Sequence, residues 1–350
     1  MKKNLTYRIA LLAILLLSLF LYLIYSKVHS ASNPVGSIST PDNPAVTVVP
    51  PDHADNAKDN HQPRPAATIM PKVTPTPVEP SIDGDLTLNV RGVSISLGDT
   101  ADSVIEKLGQ PGRIDDTEYN FDYYIYNNNY QELVFIAVKG RKVVGFYTDS
   151  LDFDFYGITS GCKVSTVNQV LKDSFSLNSV LVHKADTAVI RILVDQLRTK
   201  KVTGIYVLDK TIKKKGYDKT VKLNEEQLSY DLVNSARARN DIPVLSYSSS
   251  AALAAQKHSK DMARNGFFGH TNLKWQTPGD RLINESIAYT KVGENIGGGF
   301  NSVILACHAW YNSSNHRKNI LSEKYRYLGA GFSYAAKSQY KTYLTQVYYR

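Results

Sequence analysis

Three titratable side chains in the last third of the chain lie in segments rich in backbone-permissive residues. His270 lies in FFGHT, Glu294 in GENI and His316 in WYNSSNHRKNI. Two imidazoles and a carboxylate can bind a divalent metal or exchange protons with a bound molecule. Their separations match no short metal motif such as HExxH, and a lone histidine is more often structural than a ligand. The residues alone therefore leave a functional and a structural interpretation open.

The same region shows four helix patterns followed by two β-type segments. The first helix is expected to begin at KLNEEQL, where Asn224 and Gln227 form a capping box. The second has an alanine-rich face, on which we expect His258 to be packed and hydrogen-bonded. The other elements follow Thr277-Pro278, cover about 301–313, and occupy 325–334 and 339–350. This order predicts helices packed on an antiparallel sheet.

The first 84 residues predict export and tethering. The run IALLAILLLSLFLYLIY (9–25) carries no charge and follows a basic segment, so 1–30 is expected to be a signal peptide or a membrane anchor. Residues 31–84 hold eleven of the fourteen prolines and no Phe, Tyr, Trp or Leu, which predicts a disordered linker. The rest of the chain is then on the extracellular side of the cytoplasmic membrane, or is secreted into the cell wall.

Charge and cysteine content narrow the classes of partner. The formal net charge is +9, but four of the positive charges flank the apolar run: Lys2, Lys3, Arg8 and Lys27. The modest basic bias that remains suits an anionic envelope polymer or a soluble surface, and without a nucleic-acid motif it predicts no nucleic-acid partner. Cys162 and Cys307 fall in different predicted domains, so no disulfide framework is expected.

Residues 85–215 predict a duplicated α+β domain. Each half has a short amphipathic helix, in DTADSVIEKLGQP and in KVSTVNQVLKDSF. β-rich segments follow each helix and are separated by a basic turn, KGRK in the first half and RTKK in the second. The repeated order indicates two similar units.

Five segments of residues 223–350 follow one another in a characteristic order: AQKHSKDMARNGFFGHT, VGENIGGG, AWYNSSNHRKNIL, LGAGF and YLTQVYY. In this order they resemble the bacterial CAP domains, the superfamily of cysteine-rich secretory, antigen-five and pathogenesis-related-one proteins. GDTADSVIEKLGQP resembles the CAP-associated N-terminal domain of Gram-positive exported proteins. The resemblance implies an α+β chain in which a C-terminal α-β-α sandwich with a central cleft follows a smaller domain.

The resemblance also implies the residues of that cleft. In the family, two histidines and two acids line it, and the histidines can hold a divalent metal, often zinc. By motif, His270 and His316 are the metal ligands and Glu294 is one acid, whereas the position of the second acid is Ser313 here. The predicted ligand-binding cleft is therefore His270, Glu294, Ser313 and His316. Without metal, Glu294 is expected to raise the pKa of either histidine.

Two classes of function remain open. The first is an envelope-associated binding module for a small apolar ligand or an envelope polymer, with zinc or another divalent metal in the cleft. The second is an extracellular hydrolase, a peptidase or a cell-wall enzyme. It would use metal-activated water with Glu294 as base, or Ser313 with His316 and Glu294. Because the sequence has no GxSxG elbow, binding is favoured. Arg317 is expected to contact an anionic ligand or to form a structural salt bridge.

Overall fold

The computed structural model describes residue 82 and residues 86–350. The apolar run at 9–25 lies outside these residues, and so does the proline-rich segment 31–84 apart from residue 82. The predicted signal peptide or anchor and the predicted linker therefore stay predictions. Within the described residues, no helix is both long enough and apolar enough to cross a membrane.

Seven helices and sixteen strands occur in the described part of the chain. The helices are Ala101–Leu108 (α1), Val164–Val170 (α2), Lys219–Ala238 (α3), Ser249–Asn265 (α4), Pro278–Asn284 (α5), Val303–Tyr311 (α6) and Ser314–Ile320 (α7). The strands are Thr87–Val90 (β1), Val93–Ser96 (β2), Arg113–Asp116 (β3), Asp122–Tyr126 (β4), Val134–Lys139 (β5), Lys142–Thr148 (β6), Asp154–Phe155 (β7), Ile158–Thr159 (β8), Phe175–Leu177 (β9), Val180–Lys184 (β10), Ala188–Val194 (β11), Val202–Asp209 (β12), Ser246–Tyr247 (β13), Val292–Gly298 (β14), Tyr327–Tyr334 (β15) and Thr342–Tyr349 (β16).

The N-terminal region is built on an eight-stranded antiparallel sheet in the order β3-β4-β5-β6-β12-β11-β10-β9. Each half is a four-stranded meander preceded by a short helix, and the halves join where β6 pairs with β12. The duplicated order predicted from the sequence is therefore present. A smaller sheet, β2-β1-β7-β8, packs with α1 and α2 over a core that includes Val104, Phe146 and Ile190.

The C-terminal region is a three-layer α-β-α sandwich. Its central sheet has the order β13-β15-β16-β14, in which β13 is parallel to β15 and the other neighbours are antiparallel. On one face, Ala251 and Ala255 of α4 pack with Val347 of β16. On the other face, α3 and α6 pack with Leu328 and Tyr348. The fold class predicted from the sequence is confirmed.

The two regions share one apolar core. Phe135 and Tyr147, on the face of the large sheet that the small sheet leaves uncovered, pack in the same cluster as Leu232 of α3 and Trp310 of α6. Cys307 of α6 is a buried free thiol in this cluster, and Cys162 is also free. The helices of the sandwich therefore bury the second face of the N-terminal sheet, which stabilises both regions together.

Helix α3 begins earlier than the sequence predicted. Asp218 is its N-cap, and the carboxylate accepts a hydrogen bond from the backbone N–H of Val221 at 2.9 Å. Asn224 lies inside the helix and donates from Nδ2 to the backbone oxygen of Asp116 at 2.9 Å. The prediction of Asn224 as the cap was wrong, because its amide is used in a contact with the N-terminal region. The other three predicted helices and both late strands are confirmed.

Gly331 on β15 allows α4 to lie close to the sheet. A Cβ atom at this position would lie 2.0 Å from the backbone nitrogen of Gln256. We expect Gly331→Ala to lower the free energy of unfolding by about 1–3 kcal/mol, because α4 must move away from the sheet. Urea denaturation measures this. The matched control is Gly269→Ala, whose Cβ would meet nothing closer than the Thr271 oxygen at 3.7 Å. Equal losses in both variants would contradict the prediction.

Candidate functional site

Glu294 lies on β14 with its side chain buried, and each carboxylate oxygen has a partner. Oε2 accepts a hydrogen bond from Arg281 Nη2 at 2.5 Å, and Oε1 accepts one from His270 Nδ1 at 2.9 Å. Arg281 also donates from Nη1 to the backbone oxygens of His270 and Gln276, both at 2.9 Å. This one guanidinium therefore holds the carboxylate and the loop that carries His270.

Local sequence chemistry places Arg281 in that position. At the start of α5, Thr277 and Asp280 form a reciprocal capping box, and Pro278 occupies the first turn. In the loop before it, the Asn272 side-chain oxygen accepts hydrogen bonds from the backbone N–H groups of Lys274 at 3.0 Å and of Gln276 at 2.9 Å. The segment from 271 to 281 is therefore fixed largely by its own side chains.

The contact with Glu294 also decides the state of the His270 ring. A carboxylate can only accept, so Nδ1 of His270 carries a hydrogen atom and donates it. In the neutral ring, Nε2 then keeps its lone pair, and the side chain is 53% exposed. Histidines that bind metals in proteins are commonly held by a carboxylate in this way.

His316 lies on α7, and amide side chains fasten this helix to β14. Asn295 Nδ2 donates to the backbone oxygen of His316 at 3.3 Å, and Asn319 Nδ2 donates to the backbone oxygen of Glu294 at 3.1 Å. Ser313, the N-cap residue of α7, places its Oγ 2.9 Å from Nδ1 of His316. The strand that carries Glu294 and the helix that carries His316 are thus neighbours.

The four predicted cleft residues form two hydrogen-bonded pairs, His270 with Glu294 and Ser313 with His316. Burial lowers the pKa of His316, and the nearby charge of His270 lowers it further. The prediction that Glu294 would raise the pKa of His316 was wrong, because the carboxylate is bonded to His270 and Arg281.

The hydrogen bonds of the cleft decide which side-chain atoms a metal ion could use. Across residue 82 and 86–350, no group of three or more His, Cys, Asp or Glu side chains is arranged to hold an ion. Each oxygen of Glu294 already accepts a hydrogen bond, one from Arg281 and one from His270. His270 and His316 each use Nδ1 in a hydrogen bond, which leaves the two Nε2 atoms as the donors for a metal with water at its other positions.

Two family models match the chain. Residues 230–348 match the model of the Cysteine-rich secretory protein family, CAP, and residues 97–180 match the CAP-associated N-terminal model. The chain is a CAP-domain protein. The two resemblances inferred from the sequence motifs are thereby confirmed.

This CAP-domain protein is similar to two proteins of Bacillus subtilis (strain 168). The uncharacterized membrane protein YlbC is 27% identical over 278 residues, which cover 69% of this chain and 80% of the relative. The uncharacterized protein YkwD is 30% identical over 107 residues, which cover 31% of this chain and 42% of the relative. The chain thus spans most of YlbC and less than half of YkwD.

Two solved structures have the same fold. An extracellular protein containing an SCP domain from Bacillus anthracis str. Ames is 25% identical, with a TM-score of 0.63, and the match covers 73% of this chain and 93% of that chain. A cysteine-rich secretory protein from Staphylococcus aureus subsp. aureus Mu50 is 17% identical, with a TM-score of 0.57, and the match covers 72% of this chain and 91% of that chain. Both matches are longer than the CAP domain, so the likeness extends into the N-terminal region.

The structure decides the roles left open for other residues of the CAP domain. Arg317 forms a structural ion pair with Asp195 of the N-terminal region, with Nη1 2.8 Å from Oδ1. His258 is buried and hydrogen-bonded as expected, with Nε2 2.9 Å from the backbone oxygen of Gly269. Trp310 is buried, and its indole N–H donates to the backbone oxygen of Ile296 at 3.3 Å.

Sequence reasoning missed Arg281 and Asn319, which position the cleft residues of this CAP domain. A signal for Arg281 was present, because the capping box of TPGD sets the helix phase and places the arginine beside Leu282, which is buried. No comparable signal marks Asn319, whose partners on β14 are 24 and 25 residues away.

Proposed function

We propose that this CAP-domain protein is an exported binding module whose ligand cleft is formed by His270, Glu294, Ser313 and His316. The state of Glu294 supports binding over catalysis. Its side chain is 1% exposed, so bulk water does not reach it, and its two hydrogen bonds position His270 and Arg281. A fixed side chain that holds an exposed imidazole suits ligand recognition.

The relatives support a place outside the cytoplasm. One similar solved structure is described as an extracellular protein, and one similar sequence as a membrane protein. In this chain the apolar run 9–25 and the following proline-rich segment suit attachment to the outer side of the cytoplasmic membrane, or secretion into the wall. The ligand is then a small apolar molecule or an envelope polymer.

The cleft also suits a divalent metal, with zinc as the preferred ion. His270 and His316 would hold it through Nε2, and Glu294 orients the His270 ring. When bound, the ion supplies an electrophilic centre for an oxygen atom of the ligand. The chain's own contribution is to orient one imidazole through the hydrogen bond between His270 and Glu294 and to hold the other next to Ser313.

Zinc binding tests this assignment. The full-length protein is expected to bind about one zinc ion per chain, and His270→Ala combined with His316→Ala is expected to abolish binding. Glu294→Gln should weaken zinc affinity by about 10–100-fold, because His270 loses its carboxylate partner. Isothermal titration calorimetry measures both. His183→Asn, which removes an imidazole from β10, is the control and should bind as wild type does. Unchanged zinc uptake in the double variant would reject the site.

A second candidate function, an extracellular hydrolase, is favoured by the 2.9 Å contact between Ser313 Oγ and His316 Nδ1. A Ser-His-Glu triad would need Glu294 to orient His316, and Glu294 is instead bonded to His270 and Arg281. A fluorophosphonate probe separates the two functions. We expect no labelling of Ser313 and no turnover of ester, peptide or peptidoglycan substrates. Labelling that disappears in Ser313→Ala, or turnover that disappears in Glu294→Ala, would establish the hydrolase.

A further inference from the structure

The two most exposed large hydrophobic side chains of the described residues lie at the tip of one loop. Trp275 is 86% exposed and Leu273 is 63% exposed, and only the exposed Lys274 separates them. These three residues are called the 273–275 tip below. Large apolar side chains that face water next to one another, with polar residues around them, mark a surface that is covered by a partner.

The loop is closed by its own backbone, and the position of Trp275 in it is strained. The backbone N–H of Trp275 donates to the carbonyl of Asn272 at 2.9 Å, and the N–H of Asn272 donates to the carbonyl of Gln276 at 3.1 Å. Trp275 has a φ of 62°, in the left-handed region that glycine adopts without cost and a bulky residue does not. The turn alone would favour glycine here, so the indole has a use outside the fold.

Basic side chains outnumber acidic ones next to the tip. The depression between α4, α5 and this loop is lined by Lys274 and by three basic residues of α4: Lys257, Lys260 and Arg264. Its fourth wall residue with a positive charge on α5, Arg281, is paired with Glu294. Two carboxylates line the same depression, those of Asp261 and Glu285. Four cations therefore face two anions, which favours an anionic partner.

We propose that the 273–275 tip docks on the surface of an anionic phospholipid bilayer. Trp275 and Leu273 enter the interfacial layer, where tryptophan is favoured because it has an apolar ring and a polar N–H. Lys274 keeps its ammonium at the level of the lipid phosphates. The tip protrudes, and a fluid bilayer closes around a protruding side chain, whereas a folded partner would need a pocket shaped for it.

The chain that precedes the described residues also favours a bilayer as the partner. Residues 26–81 separate the apolar run at 9–25 from residue 82, and as the predicted flexible linker they have an r.m.s. span of about 40 Å. An uncleaved anchor therefore keeps the tip near the membrane, where a weak contact is sufficient. His270 is three residues before Leu273, so docking brings this cleft residue within about 10 Å of the inserted leucine. The proposal depends neither on the metal nor on the ligand of the cleft.

Tryptophan fluorescence of the full-length protein in vesicles tests the docking. The chain has two tryptophans, and Trp310 is buried, so it serves as an internal reference. Two vesicle compositions are compared, phosphatidylcholine alone and phosphatidylcholine with about 30 mol% phosphatidylglycerol, each with and without brominated acyl chains. We expect bromine to lower the emission of Trp275 about twofold or more in the anionic vesicles, and to have little effect in the neutral ones.

Variants assign the signal to the tip. Trp275→Gly leaves only Trp310, so its emission should not respond to bromine. Its melting temperature should not fall, because glycine accepts the left-handed φ. Lys260→Gln with Arg264→Gln should reduce the bromine quenching of Trp275 about twofold in the anionic vesicles. Lys324→Gln with Lys337→Gln removes the same charge from exposed positions that do not line the depression, and should leave the quenching unchanged.

Four outcomes overturn the proposal. They are no quenching in the anionic vesicles, equal quenching in the neutral ones, equal loss of quenching in the two double variants, and a blue shift of the Trp275 emission without bromine quenching. The last result would mean that the indole packs against protein, such as a second copy of the chain, and not against lipid.

Discussion

Replacing Asp195 with Asn is expected to lower the free energy of unfolding by about 3–5 kcal/mol, because it leaves the guanidinium of Arg317 buried without a counter-charge. The Arg317 side chain is 9% exposed and the Asp195 side chain is 2% exposed. Two hydrogen bonds join them, at 2.8 and 3.1 Å, and Arg317 also lies over the ring of Tyr311 with Cζ 3.9 Å from the centroid. No other carboxylate among the described residues pairs with this arginine.

The effect should depend on pH in a defined direction. Burial raises the pKa of Asp195, but hydrogen bonds from Arg317 and from the backbone N–H of Arg198 outweigh it, so the net pKa is lowered from 3.8. A carboxyl whose pKa is lower in the folded protein stabilises it above the unfolded value, and this stabilisation is lost as the pH falls through the folded value. The difference between wild type and Asp195→Asn should therefore be full at pH 7 and shrink below about pH 4.

An exposed ion pair in the N-terminal region provides the matched control. Asp102 and Arg141 also form a carboxylate–guanidinium pair, but both side chains are more than 70% exposed. Asp102→Asn should cost no more than about 1 kcal/mol, since solvent screens such pairs. Chemical denaturation at pH 7 compares the two variants. If Asp195→Asn costs no more than Asp102→Asn, the buried pair does not hold the two regions together.

This ion pair gives the N-terminal region a role in shaping the cleft. Arg317 follows His316 on α7, so the pair anchors the helix that carries one proposed metal ligand. Two further contacts act on the adjoining end of α6: Asn312 Oδ1 accepts from the backbone N–H of Gln196 at 2.7 Å, and His308 Nε2 lies 3.0 Å from the backbone oxygen of Ser179. The duplicated sheet therefore supports one wall of the cleft as well as sharing its core with the sandwich.

Local patterns in the sequence were sufficient for most elements of the fold. Capping residues at Ser248 and Thr277 and the alanine-rich face of α4 are properties of short segments, and each gave the correct helix. Asn224 shows the limit of such reasoning. The residues around it have the sequence pattern of a capping box, yet its side-chain amide donates to the backbone oxygen of Asp116, more than a hundred residues away. Tertiary contacts decide between local alternatives that have similar energies.

The cleft residues were found through motif resemblance, whereas their partners were not. His270, Glu294 and His316 lie in segments that match family motifs. Nothing near Glu294 in the sequence indicates that Arg281 is its counter-charge. The pairing of Arg317 with Asp195 joins positions 122 residues apart in different regions. Ion pairs of this kind depend on how two folded regions dock, and one sequence carries no local signal for docking.

A carboxyl pair at the same junction leads to the second large effect. Glu118, before β4, and Glu225 of α3 are both buried, and their carboxyl groups hydrogen-bond to each other. Burial raises the pKa of both, and the charge of Glu118 raises that of Glu225 further. Two buried carboxyl groups that share one proton stabilise the fold only while that proton is bound, because its loss leaves two negative charges side by side. We therefore expect Glu225→Gln to raise the free energy of unfolding at pH 8 by about 2–4 kcal/mol, because the amide donates to Glu118 without a titratable proton.

The sign follows from where the protons are held. A carboxyl with a raised folded pKa binds more protons in the folded than in the unfolded chain, so the wild type loses stability as the pH rises above about 4.5. Buried Glu226, with its pKa raised to about 7, contributes a similar loss, but it is present in both proteins and cancels in their difference. The gain in Glu225→Gln should therefore be small at pH 4.5 and grow towards pH 8.

Urea denaturation between pH 4.5 and 8 measures this gain. Glu106→Gln, at an exposed position on α1, is the matched control and should change the free energy of unfolding by less than about 0.5 kcal/mol. Lys214 provides the opposing influence, because its positive charge lowers the pKa of Glu225. If Glu225→Gln is less stable than wild type at pH 8, Lys214 holds Glu225 as a carboxylate in the folded protein, and the pair is an anion site closed by a lysine instead of a shared proton.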